Sequence, residues 1–455
     1  MYHAPTLKRK LLLFLAILGP IVVTQISYIA MNVLDTMMSG RAGTVDLAGV
    51  AVGSSLWMPL MTGINALLLA VTPIISHLIG EGKDEQIAKP ATQALYLSVI
   101  LSLAIIGIGA IALDPLLAAM KLEPDVAYIA KHYLIGIAWG LVPFFASYVI
   151  RYFFEAQGFT RITMYIMLAA VPINGFLNYG LIFGHFGFPR LGGIGSGYAT
   201  AITFWCIFAI SIWMTFVNPV IRRHRLFVRW YAPSLKLWKE QLAIGIPMGL
   251  STFFEASIFA VVTLFMGMMF DTSTIAAHQA TLNFASLLFM VPLSISMALT
   301  ILVAYEAGAG RREHARQYGI LGVSMAVGLM GLGACALFFM REPIAWLYTE
   351  DAHVAELITH FLVFALVFQL SDASQASLQG VLRGYKDVTV PFVVALISYW
   401  IIGIPLGYAL ADFTALGAYG FWVGITAGLT FATAGFFLRL RLIQRRAAPL
   451  PTGAS

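Results

Sequence analysis

Three acidic residues stand out because each lies inside an apolar stretch: Asp35 in "NVLDTMMSG", Glu255 in "STFFEASIF" and Asp372 in "FQLSDASQA". A charge at the centre of a bilayer costs about 2.5–3.5 kcal/mol or more, so such carboxyls usually mark ion, proton or ligand pathways. The remaining acidic residues are expected in loops or at helix ends. We therefore predict cation binding at these three positions; a hydrogen-bonded carboxyl that only ties helices together is the alternative.

Polar side chains accompany the first carboxyl. The segment "PINGFLNYG" places Asn174 and Asn178 four residues apart, on one face of a helix, and Thr200 adds a hydroxyl in the next helix. Carboxylate and amide oxygens suit Na⁺-like ions, so these residues and Asp35 form a candidate site for such an ion or a proton. Pro172 could loosen the helix beside it. Asn pairs are also ordinary contacts between membrane helices, which is the alternative interpretation.

A second candidate site combines Glu255 and Asp372, which we predict to be ligands for Na⁺. Phe368 lies one turn before Asp372, so its ring could face a bound cation through its π surface. A packing aromatic is the alternative. A cationic substrate is expected to bind the same carboxyls, Asp35, Glu255 and Asp372.

The composition indicates the elements that must position these residues. With 60% hydrophobic and 11% charged residues and a mean hydropathy of +0.86, the chain is predicted to be an all-α membrane protein. Apolar stretches of about 20 or more residues predict twelve spanning helices. They lie near 11–38, 47–78, 91–113, 125–150, 162–184, 192–217, 241–270, 274–307, 318–340, 352–379, 388–410 and 417–438.

Basic residues predict the orientation. If the N-terminus is cytoplasmic, 22 of the 27 Lys and Arg lie in inner segments and five lie outside. The inner segments are 8–10, 83–89, 151–161, 222–239, 311–316, 383–386 and 439–446. By the positive-inside rule, both termini are expected in the cytoplasm. The net charge of +6 then reflects topology and contact with membrane lipid, and gives no support to nucleic-acid binding.

Short sequence motifs from the first half of the chain recur in the same order in the second half. "LAILGP" ending at Pro20 matches "LAIGIP" ending at Pro247, and "GEGKDEQ" from Gly80 matches "GAGRREH" from Gly308, at offsets of 227 and 228 residues. This predicts two parallel six-helix repeats around a central cavity, an architecture typical of transporters. The predicted domains are an N-terminal lobe (1–217), a basic cytoplasmic linker (218–240), and a C-terminal lobe with a basic cytoplasmic tail (241–455).

These segments, with "GIPMGLSTFFEAS", "VPLSISMA" and "LRGYKDVTVP", resemble the multidrug and toxic compound extrusion (MATE) family, NorM type, from about residue 10 to 440. The resemblance implies a cell-membrane exporter of lipophilic cationic drugs and dyes, in the plasma or bacterial inner membrane, driven by Na⁺ or H⁺ entry. It places a second-lobe cation site on Glu255 and Asp372, and a first-lobe site on Asp35, Asn174 and Asn178. Several members carry a tyrosine where this chain has Phe368, which keeps the ring but lacks the hydroxyl.

The expected mechanism is antiport, with no enzyme activity and no cofactor beyond the coupling ion. No ATP-binding motif of the Walker type occurs, so an ion gradient must drive transport by alternating access of the two lobes. The protein is expected to work as a monomer. The alternative is a flippase of related fold for lipid-linked precursors, which predicts basic residues inside the cavity; the sequence has no evident intramembrane Lys or Arg cluster.

Overall fold

The computed structural model describes residues 3–446, and within that range the chain forms helices and short connections without a β-strand. Residues 1, 2 and 447–455 lie outside the described part, including the end of the predicted C-terminal tail. Helices are the expected solution in lipid, because each backbone N–H and C=O must find its partner within the segment.

Sixteen α-helices, one 3₁₀ turn and one π-helical segment follow each other along residues 3–446. The helices of the first half are α1 (Leu7–Ala42), α2 (Thr44–Leu68), α3 (Val71–Gly80), α4 (Ala88–Ala119), α5 (Pro124–Ala138), α6 (Leu141–Ala156), α7 (Thr160–Phe183), α8 (Gly193–Val217) and α9 (Pro219–Arg222). Those of the second half are α10 (Leu235–Met269), α11 (Thr272–Gly308), α12 (Arg312–Tyr348), α13 (Ala352–Gly384), α14 (Thr389–Leu396), α15 (Ile404–Phe413) and α16 (Tyr419–Arg446), with the π segment Ile397–Gly403 between α14 and α15.

The predicted number of spans agrees with the structure. Within residues 3–446, eleven helical segments are long and apolar enough to cross a bilayer, and there are twelve if α5 and α6, bent by 51°, count as one span. The chain is therefore a multi-pass membrane protein. The predicted span near 125–150 corresponds to this bent pair, and the helix is interrupted at residues 139–140.

Two prolines have different effects on their helices. Helix α7 continues through Pro172 without interruption, so the predicted loosening at that residue is not seen. Ahead of Pro405, the chain passes through the π-helical turns of Ile397–Gly403 before α15. Because proline has no backbone N–H to donate, a local change of helical pitch is a common response to it.

Residues Ala16–Gly249 form one compact unit, in which α8 packs against α5, α6 and α7. Close approach of α5 and α8 requires glycine: a Cβ on Gly197 would lie 2.4 Å from the backbone oxygen of Tyr133. Small residues allow such contacts between membrane helices. At the start of α8, the backbone N–H of Gly193 donates to Asp46 Oδ1 at 2.8 Å, which links α8 to α2.

The connection between α8 and α10 packs on this first unit. Tyr96 donates its hydroxyl to the carbonyl of Tyr231 at 2.6 Å, and Gln93 Nε2 donates to the carbonyl of Ala232 at 2.9 Å. The predicted status of 218–240 as a separate linker between lobes stays a prediction.

Residues 3–15 and 250–446 belong to a second compact unit. Its central helix, α13, packs against α11, α12 and α16. A Cβ on Gly380 would lie 2.5 Å from the carbonyl oxygen of Ser296, so glycine again permits close helix contact. Asp271 and Asp351 cap α11 and α13 by accepting hydrogen bonds from first-turn N–H groups.

Candidate cation-binding sites

The first unit brings Asp35 together with the three polar residues predicted to accompany it. Asn178 Nδ2 donates to Asp35 Oδ1 at 2.6 Å, and Thr200 Oγ1 donates to Asp35 Oδ2 at 3.0 Å. Asn178 Nδ2 also donates to Asn174 Oδ1 at 3.1 Å. Helices α1, α7 and α8 therefore supply one polar cluster inside an apolar bundle.

Asp35 is 9% exposed and Asn178 is fully buried, so this cluster is largely removed from solvent. The amide oxygen of Asn178 has no hydrogen-bond donor, although buried acceptors usually have one. Each carboxylate oxygen of Asp35 accepts one hydrogen bond here and has capacity for more. The cluster thus presents unfilled acceptors and a carboxyl, a donor set that suits a proton or a hard monovalent cation.

Tyr133 was not identified from the sequence as part of this region. Its hydroxyl lies within electrostatic range of Asp35 and 3.2 Å from Ser54 Oγ. The side chain is 4% exposed and comes from α5. An isolated tyrosine in an amphipathic helix gives no sequence signal for such a position.

The second unit brings Glu255 of α10 and Asp372 of α13 within electrostatic range of each other. Both side chains are partly exposed, unlike Asp35. The guanidinium of Arg383, 7% exposed, lies within electrostatic range of Glu255. Two neighbouring carboxyls in a low dielectric cannot both stay ionised without a positive partner. With Arg383 as one such partner, the pair can still bind a further positive charge.

Phe368 is a buried packing residue in the structure, at 3% exposure. Its ring meets Trp422 edge-on, with centroids 5.2 Å apart, and Phe259 in the same manner at 6.0 Å. The ring also lies one turn from Asp372 on α13, a position compatible with the predicted cation contact. That contact stays a prediction.

A buried ion pair was missed because Arg151 was assigned to an inner connection. The structure instead places Arg151 inside α6, 5% exposed, where its Nε donates to Glu155 Oε1 at 2.8 Å. The guanidinium also lies over the rings of Tyr28 and Tyr152. The spacing of four residues in "RYFFE" is the signal that predicts such a pair on a helix.

Comparisons with known proteins agree with this architecture. The family model MatE matches the chain twice, over residues 20–180 and 247–409. A probable multidrug resistance protein NorM of Halalkalibacterium halodurans is 54% identical over 442 residues, covering 97% of this chain and 96% of that protein. A protein of the same description from Oceanobacillus iheyensis is 50% identical over 446 residues, covering 98% and 100%.

The fold is also similar to that of a solved structure. A Vibrio cholerae MATE transporter in a bent form superposes with a TM-score of 0.85 at 20% identity, covering 96% of this chain and 97% of that chain. At this identity the likeness concerns the fold.

Proposed function

Because the chain belongs to the MatE family of transporters, we propose that it exports lipophilic cationic drugs and dyes by antiport with Na⁺ or H⁺. Membership, predicted from the motifs, is confirmed by the family match and by relatives at 50–54% identity. The chain is a transporter of small molecules and not an enzyme. The relatives' description as probable multidrug resistance proteins supports the proposed substrate class.

The observation that carries the proposal is the Asp35 cluster. A carboxyl inside an apolar bundle, beside a buried amide oxygen without a donor, attracts a positive charge. A coupling ion and a cationic substrate that need the same carboxyl exclude each other. Binding of one therefore releases the other, which is the requirement for antiport.

The Glu255–Asp372 pair is proposed as the Na⁺ site of the second unit, with Phe368 beside it. Alternating access of two lobes would expose these carboxyls first to the cytoplasm and then to the outside. Entry of each positive charge down a membrane potential is worth about 2.3 kcal/mol per 100 mV. One-for-one exchange of monovalent cations moves no net charge, so a voltage dependence would indicate more than one coupling ion per substrate cation.

The test is transport of ethidium in proteoliposomes containing the purified protein, with a Na⁺ gradient and a pH gradient imposed separately. We expect one gradient to drive dye movement and its collapse to stop it. Asp372→Asn and Glu255→Gln are expected to fold and to lose most gradient-driven transport. Dye movement that ignores both gradients would refute antiport, and full activity in both variants would refute the second site.

A further inference from the structure

The second unit also contains a polar cluster of Thr263, His278 and Trp422 to which the proposed function assigns no role. Along α10, Glu255, Phe259 and Thr263 follow at intervals of four residues and therefore share one face. Thr263 Oγ1 lies 3.1 Å from Nε2 of His278, which comes from α11 and is fully buried. This face of α10 therefore carries a carboxyl, an aromatic ring and a hydroxyl that contacts His278.

The hydrogen bonds determine which ring nitrogen of His278 carries the proton. Trp422 Nε1 lies 3.0 Å from His278 Nδ1, and an indole nitrogen can only donate. His278 Nδ1 is therefore the acceptor, and Nε2–H donates to Thr263 Oγ1. The Thr263 hydroxyl in turn donates to the carbonyl of Phe259 at 2.8 Å. This order of donors requires a neutral imidazole, because an imidazolium could not accept from the indole.

The indole held by this bond packs against Phe368, the ring one helical turn before Asp372 on α13. Trp422 is fully buried and stands edge-on to Phe368 at an interplanar angle of 78°. Phe259 closes the other side of Phe368 at 85°. With both neighbours at right angles to it, the Phe368 ring is confined one helical turn from Asp372.

We propose that His278 and Trp422 are positioning residues for the Glu255–Asp372 cation site, because their hydrogen bond fixes the indole that confines Phe368 one helical turn from Asp372. This inference rests on the proposed function of that site. The two residues touch neither ion nor substrate. They act through Phe368, as outer partners of an ion site orient the groups that contact the ion.

The test replaces one partner at a time and measures the coupling-ion dependence of ethidium transport in proteoliposomes. Na⁺ is titrated at constant pH, and pH is titrated without Na⁺. His278→Leu removes the acceptor, and we expect the half-saturating ion concentration to rise about tenfold, the lower end of the 10–100-fold losses seen for outer partners of metal sites. His278→Gln keeps an acceptor for the indole and a donor for Thr263, so it should stay within about twofold of the wild type.

Trp422→Phe keeps a ring but removes the donor, and it tests the inference if His278→Leu does not fold. The double variant should be little worse than either single one, because both remove the same bond. Trp205→Phe is the matched control: its indole donates to the carbonyl of Trp139 in the first unit, and its loss should leave the half-saturation unchanged.

The outcomes separate this inference from the proposed function. A purely structural role would lower thermal stability and the maximal rate while leaving the half-saturating ion concentration unchanged, and that result would overturn the inference. Wild-type ion dependence in both His278→Leu and Trp422→Phe would overturn it as well, even if Asp372→Asn abolishes transport. Ion-driven transport by Asp372→Asn at the wild-type rate would instead overturn the site itself.

Discussion

Replacing Asp35 by asparagine removes the charge of the first site while keeping its size. A carboxylate and a monovalent cation about 4 Å apart attract by about 1 kcal/mol in bulk water, but by about 4 kcal/mol at the effective dielectric constant of a protein site. Since Asp35 is 9% exposed, the larger value applies. A loss of about 4 kcal/mol corresponds to a roughly thousandfold weaker affinity for the coupling ion or the cationic dye.

Folding should survive this substitution. The new amide can accept one of the two hydrogen bonds now made by Asn178 and Thr200, while its NH₂ group faces the other donor. One hydrogen bond is worth about 1 kcal/mol, so we expect a small fall in thermal stability. Asp46→Asn is the control, because its amide oxygen can still accept from the backbone N–H of Gly193.

The assay is binding of ethidium to detergent-purified protein by fluorescence anisotropy, followed by gradient-driven transport in proteoliposomes. Asp46→Asn should behave as the wild type in both. A weakening of only about fivefold in Asp35→Asn would match a carboxylate in bulk water. That result would refute the reasoning that a desolvated Asp35 binds the cation.

Three further predictions concern stability. Arg151→Met leaves Glu155 buried without its partner and should lower the free energy of unfolding by about 3–5 kcal/mol. The double variant Arg151→Met with Glu155→Leu should recover most of that loss. Equal thermal stabilities of the single and double variants would contradict this prediction. Gly197→Ala drives a methyl group into a backbone carbonyl of α5 and should cost about 1–3 kcal/mol in thermal unfolding, while Gly107→Ala, which meets nothing within 4 Å, should cost none. Hydrogen bonds from Thr274 lower the pKa of Asp271, so the Asp271 cap on α11 should stabilise the helix above the usual aspartate pKa and be lost as pH falls through the lowered value. Hydrogen exchange of the first-turn amides of α11 should become faster over that pH range. In Asp271→Asn, which has no titrating group at this position, the exchange should show no such change.

Much of the fold follows from local sequence. Stretches of apolar residues long enough to cross a bilayer predict the spans, since a helix satisfies all its backbone hydrogen bonds within one segment. The break between α5 and α6 was missed because hydropathy continues across residues 139–140. Apolar character measures the length of a span and contains no information about where the axis bends.

The sequence by itself determined the helical spans, the presence of carboxyls within them and the faces shared by residues four apart, such as Asn174 and Asn178. These features depend only on helix geometry and on the cost of placing polar groups in lipid. Tertiary structure alone decided that Thr200, 165 residues away, donates to Asp35, and that Trp422 donates to His278 across 144 residues. Periodicity defines a face on each helix, but the rotation of the helix and the identity of its neighbour depend on how all the helices pack together.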